Sequence, residues 1–193
     1  MKAQKVSMIA IFISLLVACT PAKKEEATDE TMAEEQPAAT EEVTASAVLN
    51  SASGSSVTGT ANFTQTGDMM VRMSLEVQGL TPGEHALHLH EKGDCSAPDA
   101  TSAGGHWNPG GMDHGKRGEG QYHAGDVINL TADENGNVSW SDEISGWTIG
   151  GDISTNILNH AVIIHDGQDD FMTQPTGAAG GRVACGVITQ PSM

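Results

Sequence analysis

MMVRMSLEVQGLTPGEHALHLHE, residues 69–91, reads as a strand, a turn and a second strand. Val71, Met73, Leu75 and Val77 alternate with Arg72, Ser74 and Glu76, which is the period of a half-buried strand. Leu80-Thr81-Pro82-Gly83 supplies the turn. HALHLHE then resumes the alternation, so His88 and His90, two apart, leave the same face of their strand, and His85 has the opposite parity. Three of the chain's eight histidines lie in this short stretch.

The same rhythm runs through the rest of residues 45–193. SSVTGTANFTQ interleaves β-branched and polar residues. DVINLTADENGNVSWSDE reads as strand, turn at Glu134–Asn137, strand. Ala161–Ile164 is a buried apolar run, and Arg182–Ile188 is one more short strand. No stretch carries a ten-residue amphipathic helix. Short strands joined by turns, with 23 glycines and few aromatics, predict an all-β, antiparallel sandwich or flattened barrel. Residues 92–125 break the rhythm: a glycine-rich segment this long inside a compact domain is usually functional or disordered.

That segment holds His106, His114 and His123, with Asp126 at its end, and His165 follows the apolar run AVII. Imidazoles gathered on glycine-punctuated backbone suit a transition metal, and a carboxylate among them suits zinc. Any one of these histidines is more often a hydrogen-bonded loop residue than a ligand. The clustering, not any single residue, points to a metal. Spacing alone does not name the chemistry.

The remaining chain divides by composition. Lys2, Lys5 and the apolar IAIFISLLVA predict an export signal over 1–18, too short to span a bilayer comfortably. Leu16-Val17-Ala18-Cys19 resembles the bacterial lipobox, which implies that Cys19 is lipidated. By analogy with sorting in that group, Thr20 after it favours the outer membrane, with the domain in the periplasm. An ordinary signal peptide cleaved near Ala18 is the plainer alternative. Residues 19–44 carry eight acidic and two basic residues and almost nothing to bury, so they read as a self-repelling tether with a reach of at most roughly 80–90 Å. The domain, 45–193, holds 17 acidic and five basic residues, net −12, which argues against nucleic acid and anionic lipid headgroups as partners. Its two cysteines, Cys95 and Cys185, in an exported chain make a disulfide the default expectation, closing a loop of about 90 residues.

Residues 56–189 resemble the copper–zinc superoxide dismutase family. The matching motifs are His88-Leu-His-Glu91, Gly104-Gly-His-Trp-Asn-Pro109, Asp113-His-Gly115, His123-Ala-Gly-Asp126, Ile164-His165 and Gly180-Gly-Arg-Val-Ala-Cys-Gly-Val-Ile188. The resemblance implies a Greek-key sandwich, immunoglobulin-like, that seats one copper and one zinc. His88, His90, His106 and His165 would bind copper. His106, His114, His123 and Asp126 would bind zinc, with His106 shared. Asp169 would link the His88 and His114 rings, Arg182 would sit beside the copper, and Thr176 would form the opposite wall of the channel. Cys95 and Cys185 would tie the long loop to the Arg182 strand. His85 and His160 have structural places in the pattern. The implied reaction takes two superoxide anions and two protons to O₂ and hydrogen peroxide, with copper carrying the electron and His106 a proton. A homodimer is implied by family habit.

A metal-binding envelope lipoprotein without turnover is the alternative, and a copper-only enzyme is a third reading. The intact ligand positions and Arg182 weigh against both. The loop DDFMTQPTGAAGG (169–181) has no lysine, so steering of the anion is expected from Lys92, Lys116 or Arg117.

Overall fold

The computed structural model describes residues 42–191. The signal segment, Cys19 and the tether as far as residue 41 lie outside the described residues. Eight strands follow in order: β1 (Thr44–Ser51), β2 (Thr58–Gly67), β3 (Met70–Gln78), β4 (Gly83–His90), β5 (Asp126–Ala132), β6 (Val138–Ser145), β7 (Ala161–His165) and β8 (Arg182–Val187). All pairings are antiparallel, in the order β5-β4-β7-β8-β1-β2-β3-β6, and the two ends of the sheet approach each other to give a nearly closed barrel. The all-β expectation holds.

Strand β1 begins where the tether was expected to end, and no sequence signal marked it. TASAVLNS is mostly alanine, serine and threonine, whose small side chains give a weak strand pattern. Its Ala45, Ala47 and Leu49 nonetheless face the core, with Ala61 and Phe63 of β2 and Val71, Met73, Leu75 and Val77 of β3.

Strand β4 decides the architecture. Leu87 and Leu89 point into the barrel core, yet His88 and His90 on the other face are also buried, because long loops cover that face. Strand β7 repeats the device. Val162 and Ile164 join the main core, while Ala161 and Ile163 pack outside the barrel against Ala100, Ala103 and the Cys95–Cys185 disulfide. A strand that buries both faces can carry polar side chains only if those side chains have partners. Histidines placed there are therefore committed to a site.

Two bulges aim that site. Between Leu87 and His88 the β4–β5 register shifts, so that His88 faces Asp126. Between Ile164 and His165 the β7–β8 register shifts, so that His165 faces Arg182. An extra residue in one strand kinks it and redirects the neighbouring side chains.

Candidate metal centre

The site is built outside the barrel wall, from β4, β7 and the two long loops. His106 enters through a single antiparallel bridge to His90. The loop behind it is stitched to β4 by Trp107 N to Leu89 O, Leu89 N to Gly125 O and Gly125 N to Trp107 O, each 2.8 Å. A Cβ on Gly125 would stand 2.2 Å from Leu89 O, so only glycine permits this approach.

Two donor sets result. His88, His90, His106 and His165 form one, and His106, His114, His123 and Asp126 the other. Within each, the donor atoms lie within 4.8 Å of one another. All eight sequence-predicted ligand places, filled by seven residues, are thus brought together, and His106 belongs to both sets. Its ring centroid is 3.9 Å from that of His88 on one side and 5.3 Å from that of His114 on the other.

The fit to metal rests on six nitrogens. His88 Nδ1, His90 Nε2, His106 Nε2, His114 Nδ1, His123 Nδ1 and His165 Nε2 are buried without a hydrogen-bond partner. His114 Nδ1 is 3.0 Å from Asp126 Oδ2 but misaligned for a hydrogen bond. One buried unpaired polar atom costs about 1–3 kcal/mol, so six converging ones describe coordination places rather than packing.

The opposite nitrogens are tied down. His88 Nε2 donates to Asp169 Oδ2 at 2.7 Å, His90 Nδ1 to Gly104 O at 2.9 Å and His165 Nδ1 to Gly180 O at 3.3 Å. His114 Nε2 donates to Asp169 Oδ1 at 2.9 Å. Each bond selects the tautomer that leaves the other nitrogen's lone pair facing the site. A Cβ on Gly177, at φ +65°, would stand 1.7 Å from Asp169 Oδ1, so this position too requires glycine.

The charges suit two cations. Burial pushes His88, His90 and His165 down to about 4, 2 and 3, so all three are neutral and ready to coordinate at neutral pH. Burial also opposes charge on His114, but Asp126 and Asp169 outweigh it and raise that ring to about 9, so a cation bound at its Nδ1 would take the place of a proton. Burial works against the Asp126 and Asp169 carboxylates as well. Asp126 accepts from His106 Nδ1 and from the backbone N–H groups of His123 and Gly115, with the His114 ring 3.0 Å away, and Asp169 accepts from His114 and His88; these partners hold both carboxylates well below the usual carboxylate range.

Arg182 donates from Nη1 to Ala100 O and from Nη2 to Gly104 O, both at 2.6 Å. Gly104 O also holds His90, so one carbonyl orients both the guanidinium and a ring of the first donor set. Thr176 is half-buried in the turn before Ala179. The two leftover histidines stand outside both donor sets. His85 Nδ1 donates to the carbonyl of His165 at 2.8 Å. His160 Nδ1 donates to that of His90 at 3.1 Å, and its ring stacks on Trp107 at 4.5 Å.

Sequence reasoning missed two amides. Gln174 accepts from His114 N and donates to His114 O, each at 2.9 Å. Asn129 does the same for Asp169, at 2.8 Å and 2.8 Å. Each side chain mimics a strand partner for a residue that has none, and an isolated amide has no periodicity to betray that role.

Buried imidazoles in two adjoining sets that share one ring define a dinuclear metalloprotein of copper and zinc type, because nitrogen-rich sites suit copper and a His₃Asp set suits zinc. The copper/zinc superoxide dismutase family matches residues 57–188, and the chain belongs to that family. It is an oxidoreductase that dismutes superoxide with copper and zinc.

Proposed function

We propose that this dismutase works at the bacterial cell envelope, tethered through a lipidated Cys19, with the roles of its site residues divided as follows. His88, His90, His106 and His165 hold copper. His106, His114, His123 and Asp126 hold zinc. Arg182 receives the superoxide anion, and Thr176 lines the channel opposite it. Bound copper supplies one-electron redox chemistry and bound zinc a fixed positive charge. His106 Nε2 is the ring atom on the copper side, buried and without another partner, so a proton held there can pass only to what occupies that side. His90, Arg182 and the Gly104 carbonyl keep the entry and the copper set in register. The observation that supports the division is the convergence of six partnerless nitrogens into two sets around His106. Metal analysis of the purified full chain should return one copper and one zinc per chain, together with superoxide decay on rapid mixing. Bound metal without decay would favour a binding protein.

The envelope assignment rests on the lipobox-like residues 16–19 and the acidic stretch that follows. Cys19→Ser should move the enzyme from the membrane to the soluble fraction with its activity intact. An unchanged distribution would remove the anchor. A homodimer is proposed from family habit alone.

Anion steering is reassigned. Lys116 pairs with Glu119 at 2.6 Å and Lys92 stands 3.9 Å from Glu91, which cancels much of their field, and Arg117 is turned into the zinc loop. Superoxide thus meets the repulsion of a net −12 domain and, close in, Arg182. Raising ionic strength from about 0.01 M to 0.15 M shortens the screening length from about 30 to 8 Å. The expected result is a rise in kcat/KM. A fall would show that a local positive patch guides the substrate.

A further inference from the structure

Arg117 sits in the zinc loop three residues after His114. Its Nε donates to Asp126 O at 2.6 Å, its Nη2 to Ala124 O, and its Nη1 to Ser145 O at 3.2 Å at the end of β6. The guanidinium carbon is 5.1 Å from the Tyr122 ring centre and 5.2 Å from that of Trp147, so two aromatic side chains hold the cation in place. Trp147, fully buried, adds its own Nε1 to Ala124 O at 2.8 Å. Ala124 and Asp126 flank the Gly125 that is stitched to β4.

We propose that Arg117 is a positioning residue for zinc: it cross-links the two halves of the loop that carries His114, His123 and Asp126, and so preorganises three of the four zinc donors. The inference rests on the zinc assignment above. A planar guanidinium reaches three carbonyls in fixed directions. Lysine offers one compact ammonium and cannot reproduce that fork. Copper should be much less affected, because His88, His90 and His165 are carried by β4 and β7 and have their own acceptors.

The test strips the full chain of metal and measures zinc and copper affinity separately by chelator competition, in the wild type, Arg117→Met and Arg117→Lys. Zinc affinity should fall roughly 10–100-fold in Arg117→Met, as for other groups that orient ligands from behind. Copper affinity should stay within about threefold, and Arg117→Lys should recover part of the zinc loss. Thermal unfolding should show a larger drop for the zinc-loaded than for the metal-free variant. Unchanged zinc affinity, equal loss of both metals, or equal drops in the two unfolding midpoints would each overturn the proposal and leave Arg117 as a general brace. If Arg117→Met does not fold, the same comparison is made on Arg117→Lys, where zinc affinity equal to wild type overturns the proposal. A wild type that fails to bind zinc tightly would instead refute the zinc assignment.

Discussion

His106→Ala is expected to lower dismutation by at least about 10²–10⁴-fold, the range that a positioned proton donor contributes, and to weaken both metals at once. No other residue belongs to both donor sets. Its Nδ1 lies on the Asp126 side, 2.8 Å from Oδ1, and its Nε2 on the side of His88, His90 and His165. Removing the ring therefore takes one donor from each metal and the only covalent path between them. Calorimetric titration distinguishes this from simple loss of a ligand. In the wild type, filling one site should change the affinity of the other. In the variant the two titrations should become independent. Two sites that remain coupled without His106, or activity within tenfold of wild type, would show that the shared ring is not the link.

How much of this was legible beforehand depends on what kind of signal each residue leaves. The parity of His88 and His90, and the alternation in β3, follow from a period of two that survives any tertiary context. The seven residues of the two donor sets carried a family pattern, and all converge. The bulges at Leu87/His88 and Ile164/His165 left no trace, because one extra residue in a strand looks like any other residue until its partner is known. Strand β1 was hidden by its small side chains. Asn129 and Gln174 act through geometry on another residue's backbone, and no composition rule finds them. Arg117 stands with Lys92 and Lys116 among the steering candidates because sequence shows a charge without its direction. In the structure its N–H groups donate to the carbonyls of Ala124, Asp126 and Ser145. His85 and His160 hold the backbone of His165 and His90, so even the histidines outside the donor sets serve ligands.

Asp169→Asn is expected to lower zinc affinity about 10–100-fold, the usual effect of losing a group that orients a ligand, with a smaller loss at copper. Asp169 accepts from His88 through Oδ2 and from His114 through Oδ1, and Phe171 N adds a third bond at 2.7 Å to Oδ1. An ionised carboxylate accepts at both oxygens. An amide accepts at one and presents N–H groups at the other, so one imidazole must turn or change tautomer. The Asn129 amide fixes the backbone of residue 169, and Gly177 leaves no room beside Oδ1, so the new side chain cannot swing aside. His88 has β4 and its bulge to hold it. His114 has a loop backbone clamped by Gln174, and its ring orientation depends on Asp169 far more. Zinc is therefore the metal that should leave first, which competition against a chelator would show directly. Zinc affinity within twofold of wild type would mean that Gln174 and the loop backbone orient His114 without help from the carboxylate.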